Sequence, residues 1–270
     1  MKLSHDQLRA LSNLCMQIRP AILVSLLKRI LPIQRQYVSA DIGSFYIDPL
    51  SQFGNTLLNQ STYESRLLNT VQNQLAPGDT FVDLGANEGF FSVAAGQQVG
   101  STGTVLAIEP QQRLQTVLQR NFIRNGVADR IRLLAAAISD MSGEAAFHLS
   151  PNTNTGSSGL ARTTAYRVKT DTVPVMRLGE ALDAFQIDRV DLIKIDIEGF
   201  EYEAVMGAKD VFVPDRITKI ALELHPSLLE KRGHNPDDLK DFLKAQGYTR
   251  DPTTRHLLFV PANTGSYRAA

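Results

Sequence analysis

The sequence predicts an α/β fold in which a mostly parallel sheet is covered by helices on both faces. From residue 80 onward, short apolar runs alternate with helical segments, the order that produces parallel strands linked by helices. The run at 190–197 is almost continuously apolar, which is typical of a central strand buried on both faces. A glycine turn at 85–89 follows the first run, at the edge of the sheet where folds of this class bind ligands.

The N-terminal elements precede this alternation. Residues 1–50 are predicted to form two helices and a short extended piece at 44–47. Apolar residues at helical spacing predict an amphipathic helix at 61–75, which ends at the Ala-Pro-Gly-Asp sequence that follows it. We expect three parts: a helical extension (1–60), the main domain (61–262) and a frayed tail (263–270).

The elements of the main domain are predicted from periodicity. Apolar runs and alternating patterns predict strands at 80–84, 104–108, 131–138, 144–149, 172–178, 190–197, 219–224, 248–251 and 256–260. Helical spacing predicts helices at 90–97, 112–125, 178–185, 201–208 and 236–246. The Ser-, Thr-, Asn- and Gly-rich segment 150–164 is predicted to be either a lid over the site or a plain solvated loop.

The composition excludes several classes of protein. Among 270 residues, 43% are hydrophobic and 21% are charged, as in soluble globular proteins. The formal net charge is zero and no basic stripe is visible, so a nucleic-acid partner is disfavoured. The single cysteine, Cys15, excludes an intrachain disulfide and a Cys-rich zinc site. We expect a cytoplasmic protein.

The apolar stretch at 21–33 is interrupted by Lys28 and Arg29 and has no cleavage site after it. We therefore expect neither a signal peptide nor a transmembrane segment. Its helical spacing favours a helix that packs on the body of the protein or on a second subunit, which would make a homodimer. A membrane-surface helix is the less favoured alternative, because a basic polar face is barely developed.

The glycine turn should let a ligand approach bare backbone. Its residues are Gly85, Ala86, Asn87, Glu88 and Gly89. Gly85 can adopt a backbone conformation that is closed to other residues, and Gly89 lets the following helix begin close to the ligand. A dinucleotide fingerprint would need another glycine three residues later, where Ser92 stands.

The acids of this region indicate which ligand binds. Asp83 and Glu88 would repel a diphosphate, whereas they would attract a sulfonium and an amino group. The cofactor is therefore predicted to be S-adenosylmethionine, with Asp83 holding its ammonium group directly or through water. Glu109, just before Pro110, ends the second strand and should accept hydrogen bonds from the ribose hydroxyls.

The adenine ring is expected near the end of the third predicted strand. Ile138 should flank the ring, and Ser139 or Asp140 should reach its edge. For Asp140, an ordinary turn residue is an equally good interpretation.

Two later strands carry polar residues at alternate positions, which places those residues on one face. If His225 is level with Asp196, then Lys194 is level with Glu223, and we predict a supporting Lys194–Glu223 ion pair. Asp196 and His225 then form the working pair at the strand ends, where either residue could be the base that removes a hydroxyl proton. A plain strand-end role for His225, fixed by the proline that follows, is the alternative.

Three stretches resemble the signature of FkbM-type S-adenosylmethionine-dependent methyltransferases. They are Lys-Ile-Asp-Ile-Glu-Gly-Phe-Glu at 194–201, Val-Asp-Leu-Gly-Ala-Asn-Glu-Gly at 82–89 and Glu-Leu-His at 223–225. The resemblance covers roughly residues 60–250. It implies a class I methyltransferase (Rossmann-like) fold and O-methylation of a sugar, a glycoconjugate or another small secondary metabolite.

The resemblance also assigns residues. It implies that Glu109 is the cofactor acid, that Asp196 and Glu198 are the acids after the fourth core strand, and that Glu64 helps to bind the methionine end. Asp196, Glu198 and His225 would also suit a metal ion, but we predict no metal because these residues suffice for acid–base chemistry and substrate binding.

Two other functions stay open at this point. A nicotinamide (NAD) oxidoreductase is disfavoured by Glu88 and by the missing third glycine. A non-catalytic module that binds a cofactor or a carbohydrate would keep the glycine turn but lose the acids at the strand ends. The presence of both Asp196 and His225 favours catalysis.

Overall fold

The computed structural model describes residues 4–18, 24, 33–161, 169–254 and 257–262. The helices are α1 (His5–Gln17), α2 (Gln52–Gln60), α3 (Ser65–Gln74), α4 (Phe90–Val99), α5 (Gln112–Arg124), α6 (Leu178–Ala184), α7 (Glu201–Met206), α8 (Pro226–Lys231) and α9 (Pro236–Ala245). The strands are β1 (Gln36–Ala40), β2 (Gly43–Ile47), β3 (Thr80–Leu84), β4 (Thr104–Ile108), β5 (Ile131–Leu134), β6 (Ala137–Ile138), β7 (Gly143–His148), β8 (Thr170–Met176), β9 (Leu192–Ile195), β10 (Ile220–Leu222), β11 (Tyr248–Arg250) and β12 (Leu257–Pro261).

A seven-stranded sheet forms the centre of the molecule, in the order β11-β12-β10-β9-β3-β4-β5. Neighbouring strands are parallel from β10 to β5, and β12 runs antiparallel to both of its neighbours. Side chains of α3, α4 and α5 pack on one face, and those of α6, α7 and α9 pack on the other. The predicted mostly parallel sheet with helices on both faces is thus confirmed.

The strand order places the site. From the central strand β3, the chain builds outward through β4 to β5, and it later returns to β9 on the other side of β3. The connections after β3 and after β9 therefore diverge, and they leave a crevice at the carboxyl ends of the parallel strands. The turn 85–89 and the segment 196–200 both begin at this edge.

The predicted strand at 131–138 is in fact two strands in different sheets. β5 ends at Leu134 as the edge of the central sheet, and β6 belongs to a separate three-stranded sheet in the order β6-β8-β7. The apolar run continues across the break because both pieces face a core, so periodicity alone could not separate them. The predicted strands at 144–149 and 172–178 pair antiparallel as β7 and β8.

Within residues 1–50, the described part of the chain includes the helix α1 and the strands β1 and β2. β2 confirms the extended piece at 44–47, but it pairs with β1 in a hairpin that was not predicted. Asn121 and Asn125 of α5 accept hydrogen bonds from the backbone of β2, at 2.6 Å from Tyr46 N and 2.9 Å from Ser44 N. The hairpin is therefore fixed on the main domain rather than set apart from it.

The sequence missed two short helices, and two of the predicted segments lie outside the described residues. α2 and α8 were not predicted, since both are short and carry no long apolar period. The helix expected over 21–33 and the tail 263–270 lie outside the described residues, except for residues 24 and 33. No helix in the described ranges has both the length and the hydropathy that crossing a bilayer requires.

Candidate functional site: a cavity at the strand ends

A cavity of about 250 Å³ lies at the carboxyl ends of β3, β4, β9 and β10. Most of the residues predicted from the sequence line it: Glu64, Gly85, Ala86, Asn87, Glu88, Glu109, Pro110, Ile138, Asp196, Glu198 and His225. Two predicted site residues, Asp83 and Gly89, do not line it. Residues that are distant in the sequence therefore share one cavity, as the strand order requires.

The glycine turn has the tight geometry that was predicted. Gly85 has φ +82°, and a Cβ atom there would lie 1.9 Å from the carbonyl oxygen of Asp196. The amides of Gly85 and Ala86 both donate to the carbonyl oxygen of Ile108, at 3.1 and 3.0 Å. Any side chain at position 85 would therefore collide with the end of β9, so glycine is required where these strands converge.

Gly89 serves packing rather than the cavity surface. It has φ +85° as the residue before α4, and a Cβ atom there would lie 2.8 Å from the ring of Phe122 and 2.9 Å from Leu118. The glycine therefore lets α4 begin close against α5. Gly89 thus lies between the two helices and not on the cavity surface, where the ligand was predicted to be.

Asp83 is completely buried below the cavity. Its Oδ2 accepts a hydrogen bond from Ser92 Oγ at 2.6 Å, and its Oδ1 lies 3.3 Å from Lys194 Nζ. The sequence placed this carboxylate against a ligand, but on β3 it points into the protein and is neutralised by a lysine. Direct contact between Asp83 and a cofactor ammonium group is thus not supported.

Lys194 joins Asp83 to the cavity, and its predicted pairing with Glu223 is wrong. The parallel pairing sets Lys194 beside Asp83 on one side and beside Ala221 on the other, two residues short of Glu223. Strand alternation fixes which face a side chain occupies but not the register, which can shift by two residues without changing faces. Lys194 also lies 3.7 Å from Asp196 Oδ2 and donates to the carbonyl oxygen of Gly85 at 3.1 Å.

Burial alone lowers the pKa of Lys194, but the carboxylates of Asp83 and Asp196 outweigh burial and raise the pKa above its ordinary value. Lys194 is therefore a permanent cation at the base of the cavity. It holds the end of β9 against the glycine turn.

Glu109 is buried at the end of β4, beside the turn. Its carboxylate accepts hydrogen bonds from the amides of Asn87 at 2.8 Å and of Gln111 at 2.9 Å. Burial raises its pKa to about 7, although these two bonds act in the opposite direction. Each carboxylate oxygen keeps a lone pair, so the group can still accept hydrogen bonds from a diol.

The segment 150–161 covers this end of the cavity, as the lid interpretation required. Thr155 Oγ1 donates to Asn87 Oδ1 at 2.9 Å, and Gln111 Nε2 donates to the Thr155 carbonyl oxygen at 3.2 Å. Arg113 donates to Ser158 Oγ at 3.1 Å. Sequence reasoning missed these residues because polar loop residues carry no periodic signal.

The predicted adenine neighbours divide between two environments. Ile138 is buried and lines the cavity. Ser139 and Asp140 do not line it, and Ser139 Oγ donates to Asp140 Oδ1 at 3.1 Å. The Asp140 carbonyl oxygen accepts a bond from Arg177 Nε at 2.9 Å, so the structure favours the turn interpretation for Asp140.

Glu88 lines the cavity, and an arginine balances its negative charge. Arg35, just before β1, approaches it with both terminal nitrogens, at 2.7 and 3.2 Å. Bidentate pairs of this kind are strong and directional. The negative charge of Glu88 is therefore neutralised from the N-terminal region, an arrangement that the sequence gave no means of predicting.

Asp196, Glu198 and His225 meet at the ends of β9 and β10. His225 Nε2 lies 3.6 Å from Glu198 Oε2 and 3.9 Å from Asp196 Oδ1. Both distances exceed hydrogen-bonding length, so the facing atoms are free to bind a hydroxyl group. The predicted proximity of Asp196 and His225 is present, although the register that suggested it is not.

A buried acid orients His225. Glu201 Oε1 lies 2.9 Å from His225 Nδ1 and also accepts a bond from the Gly199 amide at 3.0 Å. Burial lowers the pKa of His225, but the hydrogen bond that Nδ1 donates to Glu201 and the charges of Glu201, Glu198 and Asp196 outweigh burial and raise the pKa to about 9. His225 is therefore an imidazolium cation at neutral pH, with Nε2 facing the cavity.

The free energy of unfolding is expected to fall as the pH rises from about 6.5 to about 9. The raised pKa of His225 means that the folded state binds this proton more tightly than the unfolded state. The stabilisation is therefore complete below the unfolded pKa and is lost as the pH rises through the folded pKa, with a loss on the order of 3 kcal/mol. Urea unfolding at about pH 6 and about pH 10 measures the difference.

His225→Gln is the control for this prediction. Burial raises the pKa of Glu109 and of Glu198 to about 7, so these acids also reduce stability with rising pH, but in the lower window between about 4.5 and 7. The free energy of unfolding of the variant should therefore no longer fall above about pH 8, but it should still fall as the pH rises below that value. An unchanged profile would show that His225 is not the titrating group.

Glu64 lies across the cavity from Asp196, at the residue before α3. Burial and the charge of Asp196 raise its pKa. Its neighbour Tyr63 packs edge-on against Phe53 and Phe90, which fixes this corner of the cavity. Glu64 lines the cavity and is hydrogen-bonded to Tyr63, and its role at the methionine end stays a prediction.

Within the part of the chain that the structure describes, Asp196, Glu198 and His225 are the one group whose ligand atoms lie within 4.8 Å of one another. Two carboxylate oxygens and one imidazole nitrogen could hold a divalent cation. They are equally the atoms of an acid–base pair with a hydrogen-bonding neighbour, so the geometry accommodates both kinds of chemistry.

Comparison with known proteins gives the family. Residues 83–250, more than half of the chain, match the model of the methyltransferase FkbM domain. A curated relative, the AMB antimetabolite synthetase AmbE of Pseudomonas aeruginosa, is 23% identical over 213 residues, which cover 64% of this chain and 10% of the relative. The chain thus spans about a tenth of the length of the curated relative it matches.

Two solved structures are similar in architecture. One is an S-adenosylmethionine-dependent O-methyltransferase from Thermotoga maritima, with 11% identity, a TM-score of 0.42 and coverage of 84% of each chain. The other is an rRNA methylase from Streptococcus thermophilus, with 11% identity, a TM-score of 0.42 and coverage of 72% of this chain and 91% of that one.

Proposed function

The chain belongs to the FkbM family of S-adenosylmethionine-dependent methyltransferases, and from that premise we propose that it methylates a hydroxyl group of a sugar, a glycoconjugate or another small metabolite. The observation that carries the proposal is the placement of Asp196 and His225, with free facing atoms, in the same cavity as the glycine turn and Glu109. Family membership removes the oxidoreductase and the non-catalytic module from consideration.

Several features of the cavity fit the cofactor. The glycine turn leaves backbone bare where a Cβ atom at position 85 would fill the space. Glu109 offers a buried carboxylate for a ribose diol, and Glu64 offers one for the amino group of the methionine end. Bound S-adenosylmethionine would supply a methyl group activated by its positive sulfur.

Three residues of the chain have separate roles in the reaction. Asp196 would accept the proton of the acceptor hydroxyl, so that the hydroxyl oxygen could take the methyl group that bound S-adenosylmethionine would supply, with S-adenosylhomocysteine as the leaving group. His225 is protonated at neutral pH, so it donates a hydrogen bond to the acceptor rather than acting as the base. Lys194 holds Asp196 in place, and much of the rate enhancement comes from this alignment.

S-adenosylmethionine is expected to raise the melting temperature of the protein, and NAD is not. A ligand present at 100 times its dissociation constant stabilises a fold of this size by about 5–10 °C. Differential scanning fluorimetry measures the shift, and Glu109→Gln should reduce it because the ribose loses a charged acceptor. Stabilisation by NAD without stabilisation by S-adenosylmethionine would contradict the assignment of the cavity.

Chelation is expected to leave turnover unchanged within about twofold, because an aspartate base and an imidazolium donor suffice for proton removal from a hydroxyl group. The measurement is methyl transfer before and after dialysis against EDTA. A loss of activity that Mg²⁺ or Mn²⁺ restores would instead assign Asp196, Glu198 and His225 to a metal ion.

A further inference from the structure

A second cavity of about 690 Å³ lies beside the first, between α3 and the strands β9 and β10. Both cavities are lined by Glu64, Lys194 and Glu223, so these residues form a wall that the two cavities share. The rest of its wall combines apolar and polar groups, among them Leu67, Leu222 and Arg66. A molecule bound in the second cavity would therefore contact residues that also line the first, where Asp196 lies.

We call the three residues that line both cavities the junction, and Glu223 is the one that has no role assigned so far. The described residues offer its carboxylate no hydrogen bond or ion pair, because the register turns Lys194 toward Asp83 instead. The carboxylates of Asp196 and Glu64 repel that of Glu223, and the nearby cations His225 and Lys194 offset this repulsion only in part. A cation placed between these acids would relieve that repulsion.

The other charged groups of the junction already have roles. Lys194 is held by Asp83 and Asp196. Glu64 is assigned to the amino group of the cofactor, so Glu223 is the acid that remains for the acceptor. On the outer wall, Lys240 is paired with Asp237 at 2.7 Å, which leaves the exposed Arg66 as the cation that could oppose a positive ligand.

We propose that the second cavity binds the methyl acceptor and that Glu223 anchors it, so that the enzyme prefers a hydroxyl compound carrying a protonated amine over one carrying a carboxylate. The proposal rests on the proposed function for the identity of the reaction. The binding preference can be measured without turnover, because a carboxylate on the wall that two cavities share selects ligands by charge.

Binding to the wild-type protein, saturated with S-adenosylhomocysteine, tests the proposal without catalysis. The probes are the methyl glycosides of 2-amino-2-deoxyglucose, glucose and glucuronic acid at pH 7, titrated by NMR or calorimetry. We expect the amino glycoside to bind about tenfold more tightly than the neutral one, and the uronide to bind most weakly. The uronide binding best would show that Arg66 dominates, and failure of all three to bind would show that the cavity is not the acceptor site; both results overturn the proposal.

Two variants complete the test. Glu223→Gln should abolish the tenfold preference while leaving the neutral glycoside unaffected. Glu144→Gln removes an exposed carboxylate that lines neither cavity and should keep the preference. An intact preference in Glu223→Gln overturns the proposal. Absence of methyl transfer to any hydroxyl compound, with the binding order intact, would instead count against the proposed function.

Discussion

Replacing Asp196 by Asn is expected to lower the turnover number by about 10²–10⁴-fold, the usual contribution of a general base. Asparagine keeps the size of the side chain but cannot accept the hydroxyl proton. Asp196 lines the cavity and lies within 4 Å of both cations of the site, at 3.7 Å from Lys194 Nζ and 3.9 Å from His225 Nε2. Steady-state methyl transfer measures the effect, with the dissociation constant for the cofactor determined in parallel.

The cofactor dissociation constant should stay within about threefold, because Glu109 and the glycine turn remain intact. Asp188→Asn is the matched control, since it makes the same chemical change on an exposed loop before β9 and should not affect turnover. If the Asp196 variant turns over as fast as the wild type, another group removes the proton and the division of roles between Asp196 and His225 is incorrect.

Replacing Lys194 by Met is expected to reduce the free energy of unfolding by about 3–5 kcal/mol, the cost of leaving a buried charge without its partner. Lys194 is 2% exposed and Asp83 is completely buried, so water cannot solvate the carboxylate that remains. The residual hydrogen bond from Ser92 to Asp83 offsets only part of this cost. Urea unfolding at neutral pH measures the change through the midpoint at constant m-value.

A second variant separates charge from packing. Combining Lys194→Met with Asp83→Asn removes both charges, so the double variant should recover a substantial part of the stability that the single variant loses. Lys209→Met, at an exposed position, should change the free energy of unfolding by no more than about 0.5 kcal/mol. A loss below about 1 kcal/mol in Lys194→Met would show that the Asp83–Lys194 pair does not support the fold.

The features of the fold and the site that could be predicted from the sequence are those that leave a pattern among neighbouring residues. Apolar runs locate the parallel strands, and the requirement for glycine at position 85 follows from a turn that is confined by the neighbouring strand. Alternation along β9 and after β10 correctly predicts that Asp196 and His225 lie close together, although the register between the strands differs from the predicted one. These features depend on residues close together in the chain, which is why the sequence contains them.

The remaining features depend on contacts between distant segments. The register between β9 and β10 decides the partner of Lys194, and periodicity does not encode it. Arg35 reaches Glu88 across 53 positions of the chain, and Thr155 reaches Asn87 across 68. Glu201 orients His225 although its sequence position marks it only as the first residue of a helix.

These contacts change the electrostatic picture of the site. The sequence suggested that Asp83, Glu88 and Glu109 make the cavity negative because its ligand is positive. In the structure, Asp83 and Glu88 are neutralised by Lys194 and Arg35. Among the described residues that line the cavity, Glu64, Glu109 and Glu223 have no ion pair, and our proposals assign the preference for a cationic ligand to Glu64 and Glu223.

Methyl transfer to oxygen is the central claim, and product analysis tests it most directly. The protein is incubated with S-adenosylmethionine labelled in its methyl group and with an extract of hydroxylated metabolites, and mass spectrometry with NMR locates the label. We expect the label on an oxygen atom of a small hydroxylated compound, with equimolar S-adenosylhomocysteine and with product formed at least about 10²-fold more slowly by Asp196→Asn. Label on nitrogen or carbon, or on RNA alone, would contradict the account.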